Sequence, residues 1–148
     1  MRQFTTKSSQ ETIELGKKLI EVLPKHLNVI LLNGDLSSGK TTFTKGIALG
    51  LGIKSVVNSP TFTILKSYEG KKKLNHLDLY RLDGLGMDFD LEEYIEDEDS
   101  ISVIEWPSQV KELIPNLYVN VDLKWIDDNT RIITISTNDK SDEWMNQI

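Results

Sequence analysis

Val29-Ile30-Leu31-Leu32-Asn33-Gly34-Asp35-Leu36-Ser37-Ser38-Gly39-Lys40-Thr41-Thr42 is the stretch that decides the fold. Four apolar residues run without alternation, as in a strand covered on both faces. They lead into a loop of the form G-x-x-x-x-G-K-[ST], and an amphipathic segment follows. The order of strand, glycine-bearing loop and helix predicts a phosphate loop. There, several backbone N–H groups and the positive end of a helix converge on one anion. Gly34 and Gly39 let the backbone approach closely, and Asp35, Leu36, Ser37, Ser38 and Thr42 complete the nucleotide cradle. Lys40 brings the formal charge that reaches the β- and γ-phosphates, and the Thr41 hydroxyl is a natural Mg²⁺ ligand. Ser37 stands where such loops often carry a further glycine with positive φ, so some backbone strain is expected there.

Outward from the loop, the chain of 148 residues predicts one domain over residues 1–148, long enough for a real core. Its net charge of −6 leaves no basic face to neutralise many phosphates, which argues against direct, tight RNA or DNA binding. Only three of the 17 basic residues are arginine, which weighs against a kinase lid rich in that residue. Without cysteine or a long apolar run, the expectation is a cytoplasmic protein with no membrane association.

Secondary structure follows from patterning. Arg2 to Thr6 reads as a short strand, and Ser8-x-x-Glu11 as a capping box opening a helix that Pro24 ends. The loop helix keeps Phe43, Ile47 and Leu51 on one side until Gly50 and Gly52 close it. Thr63 to Tyr68 and Lys73 to Leu82 read as a hairpin around Gly70-Lys71-Lys72, so the sheet is mixed. Leu91 to Ile95 reads as a short helix in the acidic stretch Asp88 to Asp99, which is either solvated surface or a docking patch for a basic partner. Ile101 to Ile104 is a buried strand, Ser108 to Ile114 a short helix, and Leu117 to Trp125 with Arg131 to Thr137 a second hairpin. The fold class is α/β, a phosphate-loop NTPase-like domain of three layers around a mixed central sheet with antiparallel hairpins.

Hydrolysis or transfer also needs a carboxylate for Mg²⁺ or its water. Glu105, at the carboxyl end of a strand, and Asp78, in His76-Leu77-Asp78-Leu79-Tyr80-Arg81, are the candidates. Period-two alternation puts His76, Asp78 and Tyr80 on one face. Thr61, in Ser59-Pro60-Thr61-Phe62, is either a γ-phosphate and Mg²⁺ sensor or part of a proline-stiffened turn. Trp106 either stacks on a base or packs under the sheet. The guanine-reading Asn-Lys-x-Asp is absent, which favours ATP over GTP. Apart from Arg81 no arginine finger is evident, so charge stabilisation in the transition state is expected from another protein.

Gly34-Asp-Leu-x-x-Gly-Lys-Thr-Thr-Phe43, then Ser59-Pro-Thr-Phe62, then His76-x-Asp-x-Tyr-Arg81, then Glu105-Trp106 together resemble the bacterial TsaE (formerly YjeE) family of tRNA threonylcarbamoyladenosine biosynthesis ATPases. The resemblance spans essentially the whole chain. It implies a phosphate-loop ATPase with ATP/ADP and Mg²⁺, supporting turnover of the partner proteins TsaB and TsaD as they form N6-threonylcarbamoyladenosine at position 37 of tRNA. The tRNA would be met only through that complex. By position, the resemblance makes Lys40 and Thr41 the phosphate and Mg²⁺ contacts, Thr61 part of a switch-like loop, and Asp78 and Glu105 the acids near the metal. Trp106 falls on the family's tryptophan, and Ser37 departs from its usual glycine. Two other readings remain: a small-molecule kinase, which would leave a phosphorylated acceptor, and a nucleotide-dependent switch with little turnover.

Overall fold

A computed structural model of the chain describes residues 1–35, 37–57, 65–79 and 91–148. The expectations for Leu36, for Ser59 to Phe62 with Thr61, for Tyr80 and Arg81, and for Asp88 to Asp90 lie outside the described residues. The elements run β1 (Arg2–Thr6), α1 (Ser9–Val22), β2 (Val29–Asn33), α2 (Lys40–Gly50), β3 (Leu65–Tyr68), β4 (Lys73–Asp78), α3 (Leu91–Ile95), β5 (Ser100–Glu105), β6 (Val119–Trp125) and β7 (Arg131–Thr137). Short 3₁₀ helices span Pro107–Leu113 and Glu143–Gln147.

The strands form one seven-stranded sheet in the order β1-β7-β6-β2-β5-β4-β3. Its centre is parallel, β6, β2, β5 and β4 running together, and the hairpins β3/β4 and β6/β7 add antiparallel edges, with β1 antiparallel to β7. The expected mixed sheet is therefore observed. β2 is buried on both sides, as its unbroken apolar run predicted. Ile30 and Leu32 pack with Leu19, Phe43 and Ile47 on the α1/α2 side, whereas Val29 and Leu31 pack with Leu91 and Ile95 of α3 on the other.

Ser8 caps α1, its hydroxyl accepting from the Glu11 N–H at 3.1 Å, while the Glu11 carboxylate accepts from the Lys7 N–H at 3.1 Å. The reciprocal bond thus reaches one residue before the cap, a variant of the expected box. α1 lies on α2 at a seam without side chains. A Cβ on Gly16 would come within 2.5 Å of the Phe43 carbonyl oxygen, and one on Gly46 within 2.0 Å of that of Ile13. α2 ends at Gly50 and the chain turns at Gly52, with φ of 72°, as expected; Gly50 also lies against Ile20 of α1. Met145, near the end of the chain, is buried in the α1/α2 core, with Trp144 packed against that core.

Candidate nucleotide site

Parallel pairing of β2 with β5 puts Leu32 opposite Glu105, and pairing of β5 with β4 puts Asp78 opposite Glu105. The loop that follows β2 therefore opens beside both acids, at the carboxyl ends of parallel strands. Three residues give the loop its shape: Gly34 with φ of 153°, Ser37 with φ of 69°, and Gly39 with φ of 103° as the N-terminal cap of α2. The strain expected at Ser37 is present, since a side chain there occupies the left-handed region. At Gly34 no side chain fits, because a Cβ would come within 2.6 Å of the Leu123 carbonyl oxygen.

Lys40 is folded back over the loop. Its Nζ donates to the Gly34 carbonyl at 2.8 Å, lies 3.8 Å from Glu105 Oε1, and sits 4.1 Å from the centre of the Trp106 ring. Trp106 packs against the apolar cluster that holds Val29, Leu31 and Leu77, and its indole also covers the ammonium. Burial holds the Lys40 ammonium below the ordinary lysine value, and the carboxylates of Glu105, Asp78 and Asp35 partly offset that effect. A ligand bringing negative charge favours the protonated form.

Gly39, Lys40, Thr41, Thr42, Asp78, Glu105 and Trp106 line one cleft of about 390 Å³, and Ser37 and Arg131 complete its wall. Ser38 is buried beneath.

Two residues that sequence reasoning did not assign belong to this site. Arg131, first in β7, donates from Nε to the Ser38 carbonyl at 3.0 Å and from Nη2 to that of Ser37 at 3.4 Å. No motif marks it; it arrives because the β6/β7 hairpin pairs beside β2. His76 is fully buried, and its Nε2 meets Glu105 Oε2 at 2.5 Å. The alternation that puts His76 and Asp78 on one face was readable, but the contact with Glu105 depends on the register of β4 with β5.

Among the described residues no group of three or more His, Cys, Asp or Glu stands ready to hold a metal. The donor set nevertheless suits Mg²⁺. This ion is usually bound by one or two carboxylates together with waters and substrate phosphates rather than by a protein cage, and Thr41, Asp78 and Glu105 are oxygen donors in the one cleft. Among the described residues, no helix is long and apolar enough to cross a membrane.

A mixed sheet with a phosphate loop at the carboxyl end of a central parallel strand defines a protein of the phosphate-loop NTPase-like class. The model of the family "Threonylcarbamoyl adenosine biosynthesis protein TsaE" matches residues 6–133, and the chain belongs to this family. Among its relatives, the tRNA threonylcarbamoyladenosine biosynthesis protein TsaE of Bacillus subtilis is 39% identical over 135 residues, covering 90% of this chain and 84% of that protein. The TsaE protein of Treponema pallidum is 38% identical over 133 residues, 88% of this chain and 97% of the other. A crystal structure of Bacillus subtilis YdiB matches with a TM-score of 0.76 at 34% identity, over 99% of this chain and 90% of that one.

Proposed function

We propose that this chain is the Mg²⁺-dependent, ATP-binding and ATP-hydrolysing subunit of the machinery that forms N6-threonylcarbamoyladenosine on tRNA, supporting turnover of TsaB and TsaD. One observation carries the reading: the Lys40 ammonium and the Glu105 carboxylate, 3.8 Å apart and both buried, meet on the floor of the phosphate-loop cleft with Asp78 beside them. A cation for phosphate and acids for metal or water are what phosphoanhydride cleavage requires, because its transition state is stabilised almost wholly by positioning and charge. Family membership supplies the pathway.

In this reading the loop N–H groups and Lys40 bind and orient the β- and γ-phosphates. Thr41, Asp78 and Glu105 are the residues to hold Mg²⁺, which when bound would neutralise developing charge on the phosphate oxygens. Glu105 and Asp78 organise the metal and the attacking water, and Trp106 shields the buried ammonium from bulk water. Arg131 keeps the loop carbonyls turned away from the anion by donating hydrogen bonds to them. Thr61 belongs to the same proposal as the switch-like contact. The acidic surface of the chain fits a subunit that meets tRNA through its partners.

The test is threonylcarbamoyladenosine formed on tRNA over many turnovers, from purified TsaB, TsaD, threonylcarbamoyl-adenylate and ATP, with this protein present, absent, or carrying Lys40→Ala. Repeated turnover with the unaltered protein alone supports the proposal. Equal product in all three mixtures removes it from the pathway, and a phosphorylated acceptor would then mark a kinase.

A further inference from the structure

Among the described residues the His76 ring makes one hydrogen bond, to Glu105. The ring is fully buried, flanked on its strand face by Leu74 and Asp78 and paired in register with Val103. A core position of that kind normally carries an apolar side chain, because burying a polar one is costly unless it is satisfied. Here Nε2 meets Glu105 Oε2 at 2.5 Å, while Nδ1 is buried with no hydrogen-bond partner among the described residues. A carboxylate only accepts, so the proton of the ring sits on Nε2. A buried imidazole whose one hydrogen bond among the described residues goes to the acid of the cleft is poorly explained by packing.

The two oxygens of Glu105 are thereby made unequal. Oε2 is tied to the core by His76, and Oε1 faces the cleft, 3.8 Å from Lys40 Nζ. We propose that His76 is the positioning residue of this site: it anchors Oε2, so that Glu105 works in the cleft through the single oxygen Oε1. This rests on the reading of Glu105 as the acid that serves metal or water. It is the arrangement in which a buried partner orients a carboxylate that does the chemistry, and loss of such partners typically costs about 10–100-fold in activity or metal affinity. Without the anchor the carboxylate is free to turn both oxygens toward Lys40.

Two substitutions separate positioning from packing. Gln carries an amide N–H donor close to where imidazole carries Nε2–H, whereas Leu fills the space and donates nothing. The expected result is opposite orders for two measurements. His76→Leu is at least as stable to denaturant as His76→Gln, yet its ATP turnover number is about ten-fold or more below that of the unaltered protein, with KM little changed, while His76→Gln stays within a few-fold. Equal loss in both, or loss that follows stability, overturns the proposal. A second readout needs no turnover. Nitrogen-15 NMR of the imidazoles, with His26→Gln to assign the other of the two histidines, should show a proton on His76 Nε2, and Glu105→Ala should shift that proton. Signals unmoved by Glu105→Ala contradict the coupling. If the unaltered protein shows no hydrolysis, the reading of the cleft fails, whereas this spectrum still decides the link between His76 and Glu105.

Discussion

Arg131 reaches back 93 residues to donate from Nε to the carbonyl of Ser38 at 3.0 Å, so the last hairpin of the sheet clamps the phosphate loop. The carbonyls of a phosphate loop must point away from the anion while its N–H groups point toward it. A guanidinium outside the loop that collects those carbonyls stabilises that orientation before any ligand arrives.

Replacing Arg131 with Ala should weaken nucleotide binding about ten-fold, close to 1.4 kcal/mol, the scale of a charge-assisted hydrogen bond. Lys should not restore it, because one ammonium lacks the fork that serves Ser37, Ser38, Asp127 and Thr130 together. Titration calorimetry with ADP measures both, and unchanged affinity in Arg131→Ala would remove the clamp from the account.

Ser37 holds φ at 69°, a conformation that costs an L-residue about 1–2 kcal/mol. Ser37→Gly removes that strain but adds freedom to the unfolded chain, about 0.4–1 kcal/mol in the other direction. The net expectation is a gain of about 0.5–1 kcal/mol in urea denaturation. A loss of stability would mean that the serine side chain makes a contribution larger than its strain.

At the seam between α1 and α2 the sign reverses. Gly46→Ala drives a Cβ to 2.0 Å from the Ile13 carbonyl oxygen, and both partners are helix backbone that cannot step aside singly. The helices must separate, at a cost of about 2–4 kcal/mol, judged from the usual penalty of overpacking. The midpoint of denaturation reads it directly, and a shift under 1 kcal/mol would show that the seam is looser than its geometry.

Lys40 carries a pH dependence whose direction is set by burial. Its folded-state value is lowered from 10.5, so between that lowered value and 10.5 the unfolded chain binds more protons at this site. Stability of the ligand-free protein should therefore rise with pH through this alkaline window. Below the window the contribution is flat. Lys40→Met lacks the rise, so the difference between the two proteins changes across the window and is constant beneath it. Parallel stability curves from neutral pH to about 10.5 would contradict the lowered value.

Much of this was readable in the residues, and what was missed has physical reasons. The unalternating Val29 to Leu32 run, the capping box at Ser8 and the turn at Gly70 to Lys72 are local signals, and the elements they predicted are present. Lys40, Thr41, Asp78 and Glu105 were named from motif and strand-end position, and the structure gathers them around one cleft. Arg131 and His76 were not assigned, because each acts through a partner far along the chain. Neither contact exists until β6 lies beside β2 and β4 beside β5 in one particular register. The packing of Trp106 was one of its two expected roles, whereas its place over Lys40 depends on a left-handed backbone at φ of 59° after β5. Gly50 ends α2 as its pattern predicts, and the contact of its bare Cα with Ile20 exists only once α1 lies on α2.

The most direct test of the central claim is the rate of Mg²⁺-ATP hydrolysis by the unaltered protein and by Glu105→Gln, each with TsaB and TsaD present and each shown by calorimetry to bind ATP. Glu105→Gln is expected to bind ATP within a few-fold of the unaltered protein and to hydrolyse it at least 100-fold more slowly, a loss of about 2.7 kcal/mol in transition-state stabilisation. Turnover at the unaltered rate by Glu105→Gln would contradict it.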